Sequence, residues 1–196
     1  GVAVAAGGSQ IELWRLGVDA LLALHRVPAP DRLDIGNGEQ HLVPVFDHGA
    51  MQIEVELLPD WYVPAATGMP LGDDAHSAFV AQWHRVFVRL LALPETLLLR
   101  DYHSPNLLWL PERTGAAGVG IIDFQDAMRG PAAYDLVSLL QDARLDVSGA
   151  VETELFAYYC DRAAQMQPGF DRAGFEFAYR ALGAQRNTKI LAIFAR

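Results

Sequence analysis

The chain has 196 residues, of which 52% are hydrophobic and 20% charged, and this composition excludes a disordered chain. Fifteen Lys and Arg residues against 24 Asp and Glu leave a net charge of −9, which argues against a nucleic-acid-binding surface. The single cysteine, Cys160, excludes a disulfide framework, and no apolar run is long enough to span a bilayer. We therefore expect one cytoplasmic domain with neither a membrane nor a nucleic acid as partner.

The first half of the chain is predicted to be mainly helical. Apolar periodicity predicts helices over residues 10–25, 53–61 and 75–93. The second of these is expected to be broken near Pro59 or Pro64, because proline disrupts a helix interior. Asp74 is the predicted N-cap of the third helix. Between the first two helices, we expect a loop over residues 31–38 and a short extended segment over residues 41–46.

The second half begins with short apolar runs and ends in helices. Two of the runs, Leu107–Leu110 and Val119–Ile122, are separated by a polar segment, which predicts a β-hairpin. Helical periodicity then returns over residues 134–143, 148–165 and 171–194. An order of helices, a hairpin and more helices favours an α+β fold that is mainly α-helical, rather than a βαβ sheet.

Polar side chains flank the predicted hairpin at one end. Asp101 and Asn106 come just before its first strand, and Asp123 comes just after its second strand. Because the strands of a hairpin are antiparallel, these three residues are expected to lie at the same end. Carboxylate and amide oxygens with open positions between them suit Mg²⁺, which also takes water and phosphate oxygens. The spacing therefore predicts a magnesium-dependent site.

The segments around this site resemble those of a known family. The chain resembles the catalytic and metal loops of kinases at three places. These are Arg100-Asp101, Asn106, and Asp123-Phe124 after the hairpin. With Gln125 in place of the last Gly of D-F-G, and Tyr134-Asp135 further on, the closer resemblance is to the aminoglycoside phosphotransferase/choline kinase-like family. Within it, the chain looks most like bacterial kinases that act on the anomeric hydroxyl of N-acetylmuramate and N-acetylglucosamine.

The resemblance implies a role for each matching residue. Asp101 would be the catalytic residue that accepts the proton of the attacking hydroxyl or orients it. Asn106 and Asp123 would bind Mg²⁺ and, through it, ATP. Asp135 and Arg100 would support the catalytic loop. The implied partners are a small sugar substrate and a nucleotide.

The resemblance also implies an architecture. Residues 10–196 would form a protein-kinase-like C-terminal lobe, with the hairpin carrying the catalytic and metal loops. Residues 1–9 would be the remnant of a linker from an N-terminal lobe of the same protein. That lobe supplies a Gly-rich loop and a strand Lys in the family, whereas this chain has no G-x-G-x-x-G and its only lysine is Lys189. We therefore expect little or no activity from these 196 residues alone.

Several residues and functions keep alternatives at this stage. His103, Asp126 and Trp61 are candidates for substrate contact. The alternative interpretation is a surface histidine for His103, a solvated loop carboxylate for Asp126 and a core aromatic for Trp61. Glu54 is expected on a solvated or mixed helix face, and Trp109 in the core. The alternative functions are an aminoglycoside or choline-type kinase, a non-catalytic kinase-like module, and a two-metal phosphoesterase.

Overall fold

Helices form most of the protein, as predicted. The computed structural model describes residues 9–196, and its helices are α1 (Gln10–His25), α2 (His48–Leu57), α3 (Val63–Thr67), α4 (Asp73–Leu90), α5 (Ala133–Leu140), α6 (Gly149–Met166) and α7 (Arg172–Ala195). A π-helical turn, Leu58–Tyr62, joins α2 to α3 at the point where Pro59 was expected to interrupt the helix. The predicted linker over residues 1–9 lies, except for Ser9, outside the described residues.

The strands form three separate antiparallel pairs. These are β1 (Arg32–Gly36) with β2 (Glu39–Leu42), β3 (Glu95–Leu98) with β6 (Met128–Pro131), and β4 (Leu107–Trp109) with β5 (Val119–Ile121). The prediction of a mainly helical mixed α/β fold is confirmed. The predicted hairpin is also present, with Leu107 opposite Ile121.

The hydrophobic core lies among α1, α2, α4, α5, α6 and α7. Every residue of α5 is buried, which explains its continuous apolar sequence. Gly17 allows α1 to approach α5 closely, because a Cβ atom there would lie 3.4 Å from the Leu139 side chain. Tyr102, itself buried, donates a hydrogen bond from its hydroxyl to the Gly17 carbonyl, at 2.8 Å. This bond fastens the segment after β3 to the core.

The β3–β6 pair was not predicted, and it positions the start of the candidate site. Gly130 in β6 packs so closely that an added Cβ atom would lie 2.7 Å from the Leu98 side chain. The antiparallel pairing places Leu98, at the end of β3, opposite Met128, and the chain after β3 then meets the first turn of α5 through Asp135. The pair escaped prediction because both strands are short and far apart in the sequence.

Three local predictions are wrong. The 31–38 segment is part of the β1–β2 hairpin, whose Asn37-Gly38 turn has positive φ at both residues; the Asn-Gly dipeptide was the signal for it. Helix α4 begins two residues earlier than expected and is capped by Gly72, so that Asp74 lies in its first turn. Trp109 is 36% exposed instead of being in the core.

Within residues 9–196, no helix has both the length and the apolar composition needed to cross a membrane.

Candidate active site

The site is built on the segment after β3, residues 99–106, which we call the 99–106 loop. Arg100 turns the chain in the left-handed region, with φ of 65°. The next residue, Asp101, is exposed, and its carboxylate accepts no hydrogen bond from any of residues 9–196. The loop therefore presents a carboxylate to solvent, immediately after a backbone conformation that costs about 1–3 kcal/mol outside glycine.

Asn106 brings the three predicted groups together. Its side-chain amide donates one hydrogen bond to the Asp101 carbonyl, at 3.0 Å, and another to the Asp123 carboxylate, at 3.2 Å. The Ile122 backbone amide donates to the Asn106 carbonyl, at 3.1 Å, and so ties the two ends of the hairpin. As the antiparallel pairing requires, Asp101, Asn106 and Asp123 lie at the same end of the β4–β5 pair.

Asp123 is the second strained residue of the site. It follows β5 with φ of 62° and is exposed. The Gln125 side-chain amide donates to the second oxygen of its carboxylate, at 2.8 Å. Of the three non-glycine residues with positive φ among residues 9–196, two are Arg100 and Asp123, and strained backbone of this kind is concentrated at functional sites.

The donor set fits a hard divalent cation. The Asn106 side-chain oxygen accepts no hydrogen bond within the described part of the chain, and the Asp123 carboxylate has only neutral amides as partners. Residues 9–196 contain no group of three His, Cys, Asp or Glu side chains that could bind a metal by themselves. Mg²⁺ does not need such a group, because it keeps several waters and takes substrate phosphate oxygens as ligands.

Asp135 braces the 99–106 loop from behind. Its carboxylate is fully buried and accepts the backbone amides of Leu99, at 2.7 Å, and Arg100, at 2.9 Å. The Ser138 hydroxyl donates to the Arg100 carbonyl, at 3.1 Å, from the next turn of α5. Burial raises the pKa of Asp135 to about 7, although the two backbone amides act in the opposite direction. These contacts are the ones that a loop-supporting residue requires.

Glu54 is the residue that sequence reasoning placed wrongly. It is 6% exposed, and its carboxylate accepts hydrogen bonds from the side chains of Arg100, Lys189, at 2.5 Å, and Gln185, at 2.8 Å. Glu54 was expected on a solvated or mixed face, but it lies three residues after Met51 and next to Val55, and both of these are buried in the core. Its position among apolar neighbours on α2 was the available signal.

The three candidates for substrate contact lie in different surroundings. His103 is 4% exposed, so the alternative of a surface histidine is wrong; burial, with the nearby charge of Arg144, lowers its pKa. Asp126 is exposed and accepts no hydrogen bond from residues 9–196. Trp61 is 44% exposed rather than in the core, and its ring faces the Arg196 guanidinium, 4.9 Å from the centroid. The contacts described for Trp61 do not include the 99–106 loop.

An open cleft of about 540 Å³ lies between the α5–α6 connection and α7, and Asp142, Arg144 and Asn187 are among its lining residues. The charges of Asp142, Arg144 and Arg186 act on the His103 imidazole, so this polar region adjoins the 99–106 loop. Asp142 is 8% exposed, and its buried Oδ2 has no hydrogen-bond partner among the described residues. The same holds for the buried Nη1 of Arg186, which is 7% exposed. A buried polar atom without a partner is costly and requires an explanation.

A second open cleft, of about 590 Å³, lies between α2 and α4, where His48 and His84 hydrogen-bond at 2.8 Å. None of the predicted site residues lines it. We therefore assign the chemistry to the end of the β4–β5 pair, not to this larger space.

The chain belongs to the phosphotransferase enzyme family, whose family model matches residues 8–175. This confirms the family resemblance based on the 99–106 loop and the segment after the hairpin.

Curated relatives make the resemblance more specific. The chain is 36% identical over 197 residues to the N-acetylmuramate/N-acetylglucosamine kinase of Caulobacter vibrioides, an alignment that covers 98% of this chain and 52% of that protein. It is also 36% identical over 192 residues to the kinase of the same name from Pseudomonas putida, covering 94% and 50%. The corresponding values for the kinase of the same name from Neisseria meningitidis serogroup B are 32% over 157 residues, covering 79% and 46%. The chain therefore spans about half the length of the curated relatives it matches.

Proposed function

We propose that this chain is the protein-kinase-like C-terminal lobe of an ATP- and Mg²⁺-dependent kinase that phosphorylates the anomeric hydroxyl of N-acetylmuramate or N-acetylglucosamine. The observation that carries the proposal is the pair of Asn106 hydrogen bonds, which connect the 99–106 loop to Asp123. The names of the relatives support the identity of the acceptor.

Each site residue then has a defined task. The exposed Asp101 carboxylate accepts the proton of the sugar hydroxyl, or orients that hydroxyl for in-line attack. Asn106 and Asp123 bind Mg²⁺, which when bound neutralises charge on the nucleotide phosphates. Because phosphoryl transfer has a loose transition state, positioning and charge neutralisation account for most of the catalysis. Asp135 and Arg100 keep the loop in place and do not react.

The cleft beside the 99–106 loop supports a sugar as the acceptor. A buried carboxylate oxygen on Asp142 needs a hydrogen-bond donor, and a buried guanidinium N–H on Arg186 needs an acceptor. Hydroxyl and acetamido groups can supply both. Asp142, which lines the cleft, is therefore our first candidate for an acceptor contact, with His103 and Arg186 buried beside it.

The nucleotide clamp is expected to come from outside these 196 residues. No G-x-G-x-x-G occurs in the sequence, and the only lysine, Lys189, is paired with Glu54. We propose that an N-terminal nucleotide-binding lobe of the same protein supplies these parts and that the chain alone transfers little or no phosphate. A cytoplasmic role in recycling cell-wall sugars follows from the proposed acceptors.

The acceptor assignment is tested by phosphate transfer from radiolabelled ATP, with the whole protein and a panel of N-acetylmuramate, N-acetylglucosamine, kanamycin and choline. We expect transfer to the two amino sugars only, with the product carrying phosphate on the anomeric oxygen. Transfer to kanamycin or choline in preference to the sugars would overturn the assignment. ATP-dependent turnover by the 196-residue chain alone would overturn the requirement for a second lobe.

The metal assignment is tested separately with Asp123→Ala. Because its carboxylate is exposed, this substitution is expected to leave the fold intact while weakening the binding of Mg²⁺–ATP by about tenfold or more. Titration of the whole protein with Mg²⁺ and a fluorescent nucleotide measures this. An unchanged affinity would remove Asp123 from the metal site.

A further inference from the structure

A buried ion-pair cluster lies directly behind the 99–106 loop. Glu54 on α2 accepts hydrogen bonds from Arg100 in that loop and from Lys189 and Gln185 on α7. Its side chain is 8% exposed, and those of Arg100 and Lys189 are 24% and 22% exposed. One carboxylate thus connects two helices to the loop, over sequence separations of 46 to 135 residues.

Glu54 completes the set of contacts that fix Arg100. The Arg100 backbone amide donates to Asp135, and its backbone carbonyl accepts from Ser138. Its guanidinium pairs with Glu54 and lies 5.6 Å from the centroid of the Phe46 ring. Burial acts to lower the pKa of Arg100, but the Glu54 charge contributes to a net increase, so the side chain stays charged.

Arg100 has a reason to need such support. It adopts a left-handed backbone conformation, φ of 65°, and immediately precedes Asp101. A non-glycine residue persists in this conformation only when its surroundings impose it. Because the Asp101 carboxylate has no hydrogen-bond partner of its own among residues 9–196, its direction depends on the backbone that Arg100 sets.

We propose that Glu54 is a positioning residue for the transfer reaction: by binding the Arg100 side chain, it fixes the backbone that directs the Asp101 carboxylate toward the acceptor. This rests on the proposed function. Because Glu54 is 6% exposed, we assign it no contact with substrate or nucleotide. A misplacement of about 1 Å in a reacting group can cost about 100-fold in rate, so a residue with no contact to the substrate can still be decisive.

The test is the isosteric Glu54→Gln substitution in the whole protein, with kcat and KM measured for sugar and ATP. We expect kcat to fall about 10- to 100-fold, while both KM values change less than about threefold. The matched control is Tyr159→Phe, which removes another buried hydrogen bond, to His25, without touching the 99–106 loop. It should lower the unfolding temperature and leave kcat unchanged. A wild-type kcat in Glu54→Gln, or an equal loss in Tyr159→Phe, would overturn the proposal.

A double-mutant cycle shows whether the effect passes through Arg100. If it does, Glu54→Gln adds no further loss of kcat to Arg100→Met, because the side chain on which Glu54 acts is already missing. Multiplicative losses would mean that Glu54 acts by another route, and the proposal would be wrong.

Amide hydrogen exchange separates this inference from the proposed function. In Glu54→Gln, backbone amides of the 99–106 loop should exchange about tenfold faster or more, whereas Tyr159→Phe should leave them unchanged. If the wild-type protein phosphorylates neither sugar, the proposed function fails, and the exchange data alone then decide whether Glu54 fixes the loop. If the amides of the 99–106 loop exchange at the wild-type rate in Glu54→Gln, the Glu54–Arg100 contact does not fix the loop, whatever the kinetic result.

Discussion

The carboxylates on the solvent side of the 99–106 loop, its front, differ in burial from those on the core side, its back. In front, Asp101 and Asp123 are exposed, and they accept few hydrogen bonds or none. Behind, Asp135 and Glu54 are buried, and every carboxylate oxygen has a partner. A group that must meet a substrate has to remain accessible to it, so its position is set by buried neighbours. Substitutions at the front should therefore change chemistry alone, and substitutions at the back should change stability as well.

The largest effect is expected at the front, from Asp101→Asn. Loss of a general base reduces turnover by about 100- to 10,000-fold. Because the carboxylate is exposed and accepts no hydrogen bond from residues 9–196, the free energy of unfolding should change by less than about 0.5 kcal/mol. Kinetic assays of the whole protein and denaturant unfolding measure the two quantities.

Glu112→Gln is the matched control for Asp101→Asn, since Glu112 is an exposed carboxylate in the β4–β5 connection, beyond the far end of the strands. It should keep full turnover. Retention of more than a few per cent of turnover in Asp101→Asn would contradict the role given to Asp101.

The next largest effect is expected at the back, from Asp135→Ala. This change leaves the buried backbone amides of Leu99 and Arg100 without an acceptor, at about 1–3 kcal/mol each, or about 4 kcal/mol in total. Urea unfolding gives the cost. Ser138→Ala removes a single neutral hydrogen bond to the same loop and should cost about 1 kcal/mol. Equal costs for the two variants would mean that Asp135 is not the main support of the loop.

The smallest effect is a pH dependence that arises away from the 99–106 loop. His25 on α1 hydrogen-bonds Tyr159 on α6, at 2.8 Å, and burial lowers the pKa of His25 from 6.5 to about 4. Between these values the unfolded chain binds a proton that the folded chain does not, so the contribution of His25 to stability falls as the pH drops from 6.5 to 4. At pH 4.5 that contribution should be about 2.5 kcal/mol lower than at pH 7, while the raised pKa of Asp135 acts in the opposite direction.

The His25→Gln variant isolates this contribution, because it lacks the titrating group while all other groups remain. Urea unfolding at pH 7 and pH 4.5 gives the change in stability of each protein, and this change should be about 2.5 kcal/mol less favourable in the wild type than in the variant. Phosphate transfer at pH 7 should be the same in both. An identical pH dependence of stability in the two proteins would show that His25 is not buried as a neutral group.

The local features of this protein can be read from its amino-acid sequence. The helices follow from apolar periodicity, and the meeting of Asp101, Asn106 and Asp123 follows from their places before and after two strands that pair as a hairpin. Both depend on residues close together in the chain. The Asn37-Gly38 turn belongs to the same local class, because the Asn-Gly dipeptide that favours it lies within the hairpin.

The surroundings of these residues depend on how distant parts of the chain pack together. Glu54 meets Arg100 and Lys189 across 46 and 135 positions, and β3 pairs with a strand about 30 residues away. No periodicity or spacing encodes which distant surfaces pack together, because that choice comes from the burial of all the helices at once. The same packing brings the cleft at Asp142 and Arg144, where we propose that the acceptor binds, beside His103.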